Sequence, residues 1–321
     1  MGGRHGMSWS AKLATALLLF SCSISQANEL VIAMPNWFSG RASANILKVA
    51  LKNEFGLEAK VAEAGTLTAF AGLDAGTVDI HPEVWLPNLD NLVKKYVTDA
   101  KTVALSPVGV EAWQGMCATR AAADAGISDI ADLNDPKKTA VLDTNDDGRG
   151  EIWIGAPAWS STAIERIRAN SYGYGKTVTL LDMQEDVGMA AVDAAAATAS
   201  PLVFACYAPH AVFKLHDIVR LSEPSYDPAK WNILLPSEDP LWEQSSTAAS
   251  AWDTARYHIA YATSLRDKHP EVVEFLDRVT FTPEEATEMS YALQVERQDP
   301  YDFAKQWVSK NAARIKEWAK P

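Results

Sequence analysis

The stretch LVIAM at residues 30–34 opens the pattern that decides the fold, because a short apolar run of this kind is typical of a buried strand. Apolar residues then recur at helical spacing over 46–51, and a second strand pattern follows over 59–62. Residues 66–75 predict a helix that ends at a glycine, and residues 78–80 predict a third strand. This order of strands and helices is typical of a largely parallel sheet covered by helices.

The second half of the chain continues the alternation of strands and helices. Strands are predicted over 140–142, 178–181 and 201–206, and helices over 162–170 and 188–198. No internal repeat or low-complexity linker interrupts the pattern. We therefore expect an α/β protein of two lobes with a ligand cleft between them.

Aromatic residues follow several of the predicted strands at the point where each strand ends. Trp37 comes after the first strand, Trp85 after the third, and Tyr207 after a later one. Trp159 lies beside Pro157 in a segment typical of a loop. Parallel sheets bind ligands beyond the carboxyl ends of their strands, so Trp37 and Trp85 are expected to face one crevice. Such rings suit a ligand that is apolar yet positively charged.

The N-terminus has the three parts of a secretory signal peptide. Arg4 and Lys12 precede an apolar run over 13–20, and Ser-Gln-Ala at 25–27 matches the small residues of a signal-peptidase site. The apolar run is far shorter than the roughly 20 residues that span a bilayer. The sequence therefore predicts an exported, periplasmic protein whose signal peptide is cleaved near Ala27.

The charge balance of the chain is acidic. The formal net charge is −12, and removal of Arg4 and Lys12 with the signal peptide makes it −14. Such a balance disfavours nucleic acid as a partner and suits a small cation or zwitterion.

Two cysteines remain in the predicted mature chain. Cys117 and Cys206 are widely spaced, and spacing alone does not establish that they meet. We expect two buried free thiols in preference to one disulfide.

Four motifs occur in an order known from one family. They are Trp85-Leu86-Pro87, Leu142-Asp143-Thr144-Asn145-Asp146-Asp147-Gly148, Pro157-Ala158-Trp159 and Phe204-Ala205-Cys206-Tyr207-Ala208-Pro209. With them the chain resembles the glycine betaine and proline betaine substrate-binding proteins of bacterial ABC importers over essentially its whole mature length. The resemblance implies a type II-like periplasmic-binding-protein fold, whose two lobes close on a quaternary ammonium compound inside a box of aromatic rings.

The same resemblance implies which residues form the site. Trp85 and Trp159 match two tryptophans of the aromatic box, and Tyr207 stands where a third aromatic residue is found. The backbone amides of Ser160 and Ser161 match those that bind the ligand's carboxylate, and a helix N-terminus favours an anion there.

Two further residues are candidates because of their positions. Trp37 either forms a fourth wall of the box or packs at the interface between the lobes. Glu111 follows an apolar segment near the expected crossover between the lobes, where its carboxylate would neutralise an ammonium and repel a ligand carboxylate. In that case ligands without a carboxylate, such as trimethylamine N-oxide or choline, become candidates. The alternative is that Glu111 is exposed.

A loop rich in side-chain oxygens predicts a metal site outside the cleft. Asp143, Asn145, Asp147 and Gly148 form the pattern D-x-N-x-D-G, the front half of a calcium loop, and Glu151 follows. Oxygen ligands at alternate positions wrap a hard cation, while glycine permits the sharp turn. We expect a structural calcium ion, with a turn held by side-chain hydrogen bonds as the alternative.

The sequence lacks the motifs of common enzymes. It contains no G-x-S-x-G elbow, no H-E-x-x-H and no G-x-x-x-x-G-K-[ST] loop, and its six histidines are scattered. We therefore expect a protein that is not an enzyme and needs no cofactor for chemistry. A secreted hydrolase of a small cationic substrate is the alternative, and a calcium-dependent adhesion protein is a third hypothesis.

These patterns together predict a monomeric solute-binding protein that captures a methylated ammonium osmolyte and delivers it to the permease of an ABC transporter. The candidate ligands are glycine betaine, proline betaine, trimethylamine N-oxide and choline. The expected domains are the signal peptide over 1–27, lobe I over 28–116 and again over 223–321, and lobe II over 117–222.

Overall fold

The computed structural model describes residues 1–3, 29–234, 236 and 238–320. The predicted signal-peptidase site lies outside these residues, as does most of the predicted signal peptide. Within the described ranges, no helix is both long enough and apolar enough to cross a membrane.

The described chain alternates strands and helices, which confirms the expected α/β class. The strands are β1 (Leu30–Met34), β2 (Ala59–Glu63), β3 (Ile80–Leu86), β4 (Val103–Leu105), β5 (Val110–Thr119), β6 (Gly150–Trp153), β7 (Val178–Leu181), β8 (Val203–Ala208), β9 (Ile218–Arg220), β10 (Trp231–Asn232), β11 (Thr247–Ala248) and β12 (Ala255–Ala262). The helices are α1 (Phe38–Phe55), α2 (Thr66–Ala75), α3 (Asp90–Leu92), α4 (Arg120–Asp124), α5 (Pro136–Thr139), α6 (Ser160–Tyr172), α7 (Glu185–Ala197), α8 (Val212–Leu215), α9 (Trp242–Ser245), α10 (Leu265–Lys268), α11 (Pro270–Arg278), α12 (Pro283–Gln294), α13 (Pro300–Lys310) and α14 (Ala312–Trp318).

A sheet of ten strands connects the two halves of the described chain. Its main path is β2-β1-β3-β12-β5-β8-β6-β7, with β4 on β12 and β9 on β5. β1 pairs in parallel with β2 and β3, and β6 pairs in parallel with β7 and β8. Strand β5 joins the halves, because residues 110–112 pair with β12 and residues 113–118 pair with β8. The lobe boundaries expected at 116/117 and 222/223 stay predictions.

The first two helices end where their glycines predict. Gly56 follows α1 with φ 68°, and Gly76 follows α2 with φ 69°, a left-handed conformation that glycine adopts without strain. Each helix is therefore followed closely by the next strand of the sheet, β2 after α1 and β3 after α2.

Two predicted strands need correction. Residues 140–142 form a short 3₁₀ turn after α5, and β6 begins only at Gly150. These three residues continue from the end of α5 as a helical turn, and Val141 is 40% exposed. The third strand runs over Ile80–Leu86 rather than 78–80, because a shift of register against β12 accommodates Pro82, which lacks an N–H.

The expectation of two free thiols is also wrong. Cys117 lies on β5 and Cys206 on the neighbouring strand β8, with their Cα atoms 5.8 Å apart, and the two sulfurs form a disulfide. The antiparallel register sets Gly115 opposite Cys206, so the two cysteines lie diagonally across one strand pair. The pairing of β5 with β8 thus brings two residues 89 positions apart into contact.

Removal of the disulfide is expected to destabilise the protein. A Cys117→Ala, Cys206→Ala double variant should lose about 2–4 kcal/mol of unfolding free energy, because the bond closes a long loop in the unfolded chain. Urea unfolding of the oxidised wild type, the reduced wild type and the variant measures the loss. Identical urea midpoints for the oxidised and reduced wild type would contradict the prediction.

Candidate functional site

A small cavity receives residues from both halves of the sheet. Its volume is about 60 Å³. Most of the residues expected to contact a ligand line it, and these are Trp37, Trp85, Trp159, Ser160, Ser161 and Tyr207. The expected ligand contacts are thus brought together, with the exception of Glu111.

Four aromatic rings from different elements form much of the wall. Trp37 caps the start of α1 and Trp85 lies on β3, whereas Trp159 caps the start of α6 and Tyr207 lies on β8. We call these four rings the aromatic cage. The Tyr207 ring stands edge-on to Trp85, with centroids 5.3 Å apart, and to Trp159, with centroids 5.7 Å apart. Trp85 also stacks at 5.1 Å on the buried Tyr257.

Every ring of the aromatic cage has its polar atom held by a protein acceptor. The donor and acceptor pairs are Trp37–Glu83 (2.6 Å), Trp85–Glu83 (3.4 Å), Trp159–Asn36 (3.0 Å) and Tyr207–Glu185. Since the hydrogen-bonding edges are engaged, the faces and apolar edges of the rings remain for the ligand. This arrangement suits a group that is cationic but cannot donate a hydrogen bond.

Burial shifts the pKa values of ionisable groups around the aromatic cage. Burial and the nearby Glu185 carboxylate raise the pKa of Tyr207 well above its usual value, so its hydroxyl stays a neutral donor. Burial lowers the pKa of His81 to about 4. His81 is therefore neutral, and its Nδ1 accepts the backbone N–H of Glu83 at 3.2 Å, as expected of a structural histidine.

The charged residues that line the cavity are few. Among the described lining residues, Glu165 is the charged one, and none is Lys, Arg or His. Its carboxylate is engaged by Arg168 at 3.1 Å and by the indole of Trp252 at 2.8 Å. A ligand anion in this cavity therefore meets no cationic side chain from the part of the chain that the structure describes.

Glu111 lies away from the cavity, which corrects its expected role in selectivity. Its side chain is 75% exposed and pairs with Arg256 at 2.9 Å. The two residues face each other in the β5–β12 register, so the ion pair is an ordinary cross-strand contact. The β5 residues that line the cavity are Gln114 and Gly115, which follow Glu111 by three and four positions.

Hydrogen bonds between the two halves close the cavity. Asn36 accepts from the indole of Trp159 at 3.0 Å and donates to Gln184 at 2.9 Å. The backbone N–H of Phe38 donates to Glu185 at 3.0 Å. The segment between β1 and α1 is therefore bound directly to elements of the other half.

Comparison with known families identifies the kind of protein. The family described as the substrate binding domain of the ABC-type glycine betaine transport system matches residues 28–310. The chain belongs to this family. It is therefore a substrate-binding protein of ABC transport, and not a member of an enzyme family. Among curated proteins, none matches the sequence significantly.

Solved structures share the fold of this substrate-binding protein. An ABC-transporter choline-binding protein in complex with choline is 17% identical, with a TM-score of 0.71 over 90% of each chain. The glycine betaine, L-proline-binding protein of Borrelia burgdorferi is 18% identical, with a TM-score of 0.72 over 90% of this chain and 96% of its own. Lactococcal OpuAC, closed on glycine betaine, is 21% identical, with a TM-score of 0.69 over 91% of this chain and 99% of its own. These likenesses confirm the two-lobed periplasmic-binding-protein fold.

Sequence reasoning missed several polar residues of the substrate-binding site. Thr66, Asn88, Gln114 and Glu165 line the cavity in addition to the predicted residues. The side-chain amides of Asn88 and Gln114 bind each other reciprocally. No single-residue signal marks them, because their convergence depends on the pairing of strands distant in sequence. Glu83 had a usable signal, since it stands two positions before Trp85 on the same strand face.

The predicted calcium loop of this substrate-binding protein brings three carboxylates together. One oxygen each from Asp143, Asp147 and Glu151 lies within 4.8 Å of the others. Glu151 is buried, and one of its oxygens accepts hydrogen bonds from Thr144, whereas the other has no hydrogen-bond partner. The side chain of Asn145 instead makes hydrogen bonds to Asp147. Calcium and the hydrogen-bonded turn both remain compatible with this geometry.

Proposed function

We propose that this protein captures a small methylated ammonium solute in the aromatic cage and delivers it to the permease of its ABC transporter. The candidates are glycine betaine, proline betaine, trimethylamine N-oxide and choline. The observation that carries the proposal is the cavity walled by four aromatic rings whose polar atoms are already bound to protein acceptors.

Cation–π attraction accounts for recognition of such a solute. A trimethylammonium group has no N–H to donate, so a site distinguishes it by shape and by the negative faces of aromatic rings. Each contact is worth about 0.5–2 kcal/mol. Four rings therefore supply a large part of the roughly 8 kcal/mol that micromolar affinity requires.

Ligand binding is coupled to closure of the lobes. Trp37 and Trp85 come from one half of the sheet, and Trp159 and Tyr207 come from the other. A solute that contacts all four rings favours the closed state by its contacts with the second half. The hydrogen bonds of Asn36 across the halves add to that preference.

The end of the solute opposite its ammonium group, which is a carboxylate in glycine betaine, is expected near the start of α6. This helix has thirteen residues and no side-chain cap at Trp159, so the amides of Ser160 and Ser161 are placed to receive a carboxylate. Because Glu111 lies outside the cavity, the argument that a carboxylate would be repelled loses its basis. We therefore keep both glycine betaine and the ligands without a carboxylate as candidates.

The proposal also covers the location of the protein, its oligomeric state and the fate of its ligand. We propose that the signal peptide is removed near Ala27, that the mature protein is a periplasmic monomer, and that it returns its ligand chemically unchanged. Turnover of a cationic substrate, as in a hydrolase, has no support from the residues that line the cavity.

A parallel calorimetric titration tests the function. The mature protein is titrated with glycine betaine, trimethylamine N-oxide and choline, and the ligand is recovered and identified by NMR. Saturable binding of at least one compound, recovered intact, is expected. Failure of all three to bind would reject the aromatic cage as an ammonium site, and a hydrolysed product would reject the role as a binding protein.

We also propose that the loop around Asp143 holds a structural calcium ion. Calcium takes six to eight oxygen ligands, and the cluster of Asp143, Asp147 and Glu151 offers several. The unpartnered, buried oxygen of Glu151 supports a cation there, because a buried acceptor without a partner is costly.

Calcium removal is expected to lower thermal stability. At a free concentration about a hundred times its Kd, calcium should raise the unfolding midpoint by about 5 °C, and a chelator should reverse the change. Scanning calorimetry of the wild type and Glu151→Gln measures this, and the variant should lose the response. Midpoints that do not respond to calcium in the wild type would favour the hydrogen-bonded turn.

A further inference from the structure

A fully buried carboxylate lies behind two rings of the aromatic cage. Glu83 has no solvent exposure and sits on β3, facing the first turns of α1. Its Oε2 accepts hydrogen bonds from the indoles of Trp37 at 2.6 Å and Trp85 at 3.4 Å, and from the hydroxyl of Ser39 at 3.0 Å. Its Oε1 accepts from Ser43 at 2.9 Å. One carboxylate thus binds two cage rings at once.

Hydrogen bonds to Glu83 oppose the effect that burial has on its charge. Indole N–H groups can only donate, so Oε2 has to act as an acceptor towards Trp37 and Trp85. The positive end of the α1 dipole also lies close, since Ser39 is in the first turn of that helix. Burial raises the pKa of Glu83, and the four hydrogen bonds oppose that rise.

Glu83 has no cationic partner among the described residues. None of the ion pairs in this part of the chain includes it. His81, two residues before it on β3, is neutral. A buried anion without a counter-charge is costly, and a cation bound nearby relieves that cost.

We propose that Glu83 is the built-in counter-charge of the site, and that it acts through the two indoles it holds. A carboxylate bound to the N–H edge of Trp37 and Trp85 makes the ring faces more negative and places a full negative charge one ring away from the ligand. The site then selects a solute for its formal positive charge as well as for the shape of its methyl groups. This inference rests on the proposed function and narrows its substrate class. Glu83 is a positioning residue, because the rings and not its carboxylate line the cavity.

Carbon isosteres of the ligands separate charge from shape. In tert-butylacetate a quaternary carbon replaces the nitrogen of glycine betaine, and in neohexyl alcohol it replaces that of choline. A cage that recognises shape alone would accept each isostere nearly as well as the cation. A cage with Glu83 as its counter-charge would not.

The test measures the affinity ratio of cation to isostere in the wild type and in Glu83→Gln. Glutamine keeps an acceptor oxygen for both indoles and removes the charge, so the variant preserves the positions of the rings. We expect the ratio to fall about tenfold or more, with little change for the isostere. Glu58→Gln removes a carboxylate that is exposed and paired with Lys52, and it should leave the ratio unchanged.

Each outcome of this experiment is decisive. An equal loss of affinity for cation and isostere in Glu83→Gln would assign the carboxylate a purely structural role and overturn the proposal. Unchanged affinities for both compounds in the variant would mean that the carboxyl group is neutral, which overturns it as well. If none of glycine betaine, trimethylamine N-oxide and choline binds the wild type, the proposed function fails, and the inference fails with it.

A second measurement needs no variant and covers the case in which Glu83→Gln does not fold. The ionisable side chains that face Glu83 are His81 on its own strand, Tyr207 on β8 and Tyr257 on β12. Helix α1 faces it with hydroxyl groups and an indole. Burial moves the pKa of both tyrosines upward and that of the histidine downward, so none of them supplies a charge at neutral pH. The wild type at neutral pH should therefore bind choline much more tightly than neohexyl alcohol. Equal affinity for the two compounds would overturn the proposal.

Discussion

Trp159→Ala is expected to lower the affinity for the ammonium ligand by about 100-fold while the protein stays folded. The change removes one wall of the aromatic cage and the hydrogen bond from Trp159 to Asn36, which joins the two halves of the sheet. A lost cation–π contact, lost contact with the methyl groups and the lost hydrogen bond together cost about 3 kcal/mol. Calorimetric titration with the ligand that binds the wild type measures the effect, and thermal unfolding checks the fold.

Two variants separate the causes of the Trp159 effect. Trp159→Phe keeps an aromatic face and removes the N–H, so its affinity should fall between those of the wild type and the alanine variant. Trp113→Ala removes a tryptophan that stacks on Arg220 at 4.0 Å outside the cavity, and it should change the affinity little. Equal affinity for the wild type and Trp159→Ala would remove this ring from the ligand site.

The four cage rings could be anticipated from the sequence because each stands at a local boundary. Trp37 and Trp159 directly precede the first residues of α1 and α6, and Trp85 and Tyr207 lie near the carboxyl ends of β3 and β8. Such boundaries carry short-range signals, namely glycine, proline and the change of hydrophobic period. In an α/β fold these boundaries also meet at one edge of the sheet.

Contacts that depend on strand pairing could not be anticipated. Whether Glu111 or Gln114 faces the cavity is decided by where β5 leaves β12 and joins β8, which no local pattern encodes. The disulfide of Cys117 and Cys206 depends on the same pairing. A shift of one residue along a strand reverses the face of every side chain, so an error of this size reassigns the site residues.

The bounds of the third strand illustrate a local signal that misleads. The apolar run that predicts this strand stops at residue 80, and Pro82, which cannot donate a hydrogen bond to a neighbouring strand, follows it. In the structure the irregular register against β12 carries the strand past Pro82 to Leu86. The irregularity lies between His81 and Val84, so His81 pairs with Ala260 and Trp85 with Tyr257 on opposite faces of β12. Glu83 lies beyond His81 on the side of Trp85, and its carboxylate binds the indole of that ring.

Arg168→Met is expected to destabilise the protein by about 3–5 kcal/mol, because it leaves buried carboxylates without their cation. The Arg168 side chain is fully buried. Its guanidinium binds Glu165 at 3.1 Å and Glu223 at 2.6 Å, and it also donates to the backbone carbonyl of Ser250. Burial raises the pKa of Glu165, and Arg168 opposes that rise, so the variant should also shift this carboxyl group towards its neutral form.

Urea unfolding of matched variants tests the role of this buried cluster. Arg120→Met breaks an exposed pair with Asp217, and its urea midpoint should stay close to that of the wild type. Adding Glu165→Gln to Arg168→Met removes one of the uncompensated charges, so part of the lost stability should return. Glu165 also lines the cavity. Arg168→Met alone should therefore weaken ligand binding more than Arg120→Met does. If the two arginine variants unfold at the same urea concentration, water reaches the cluster, and Arg168 does not hold the wall of the site in place.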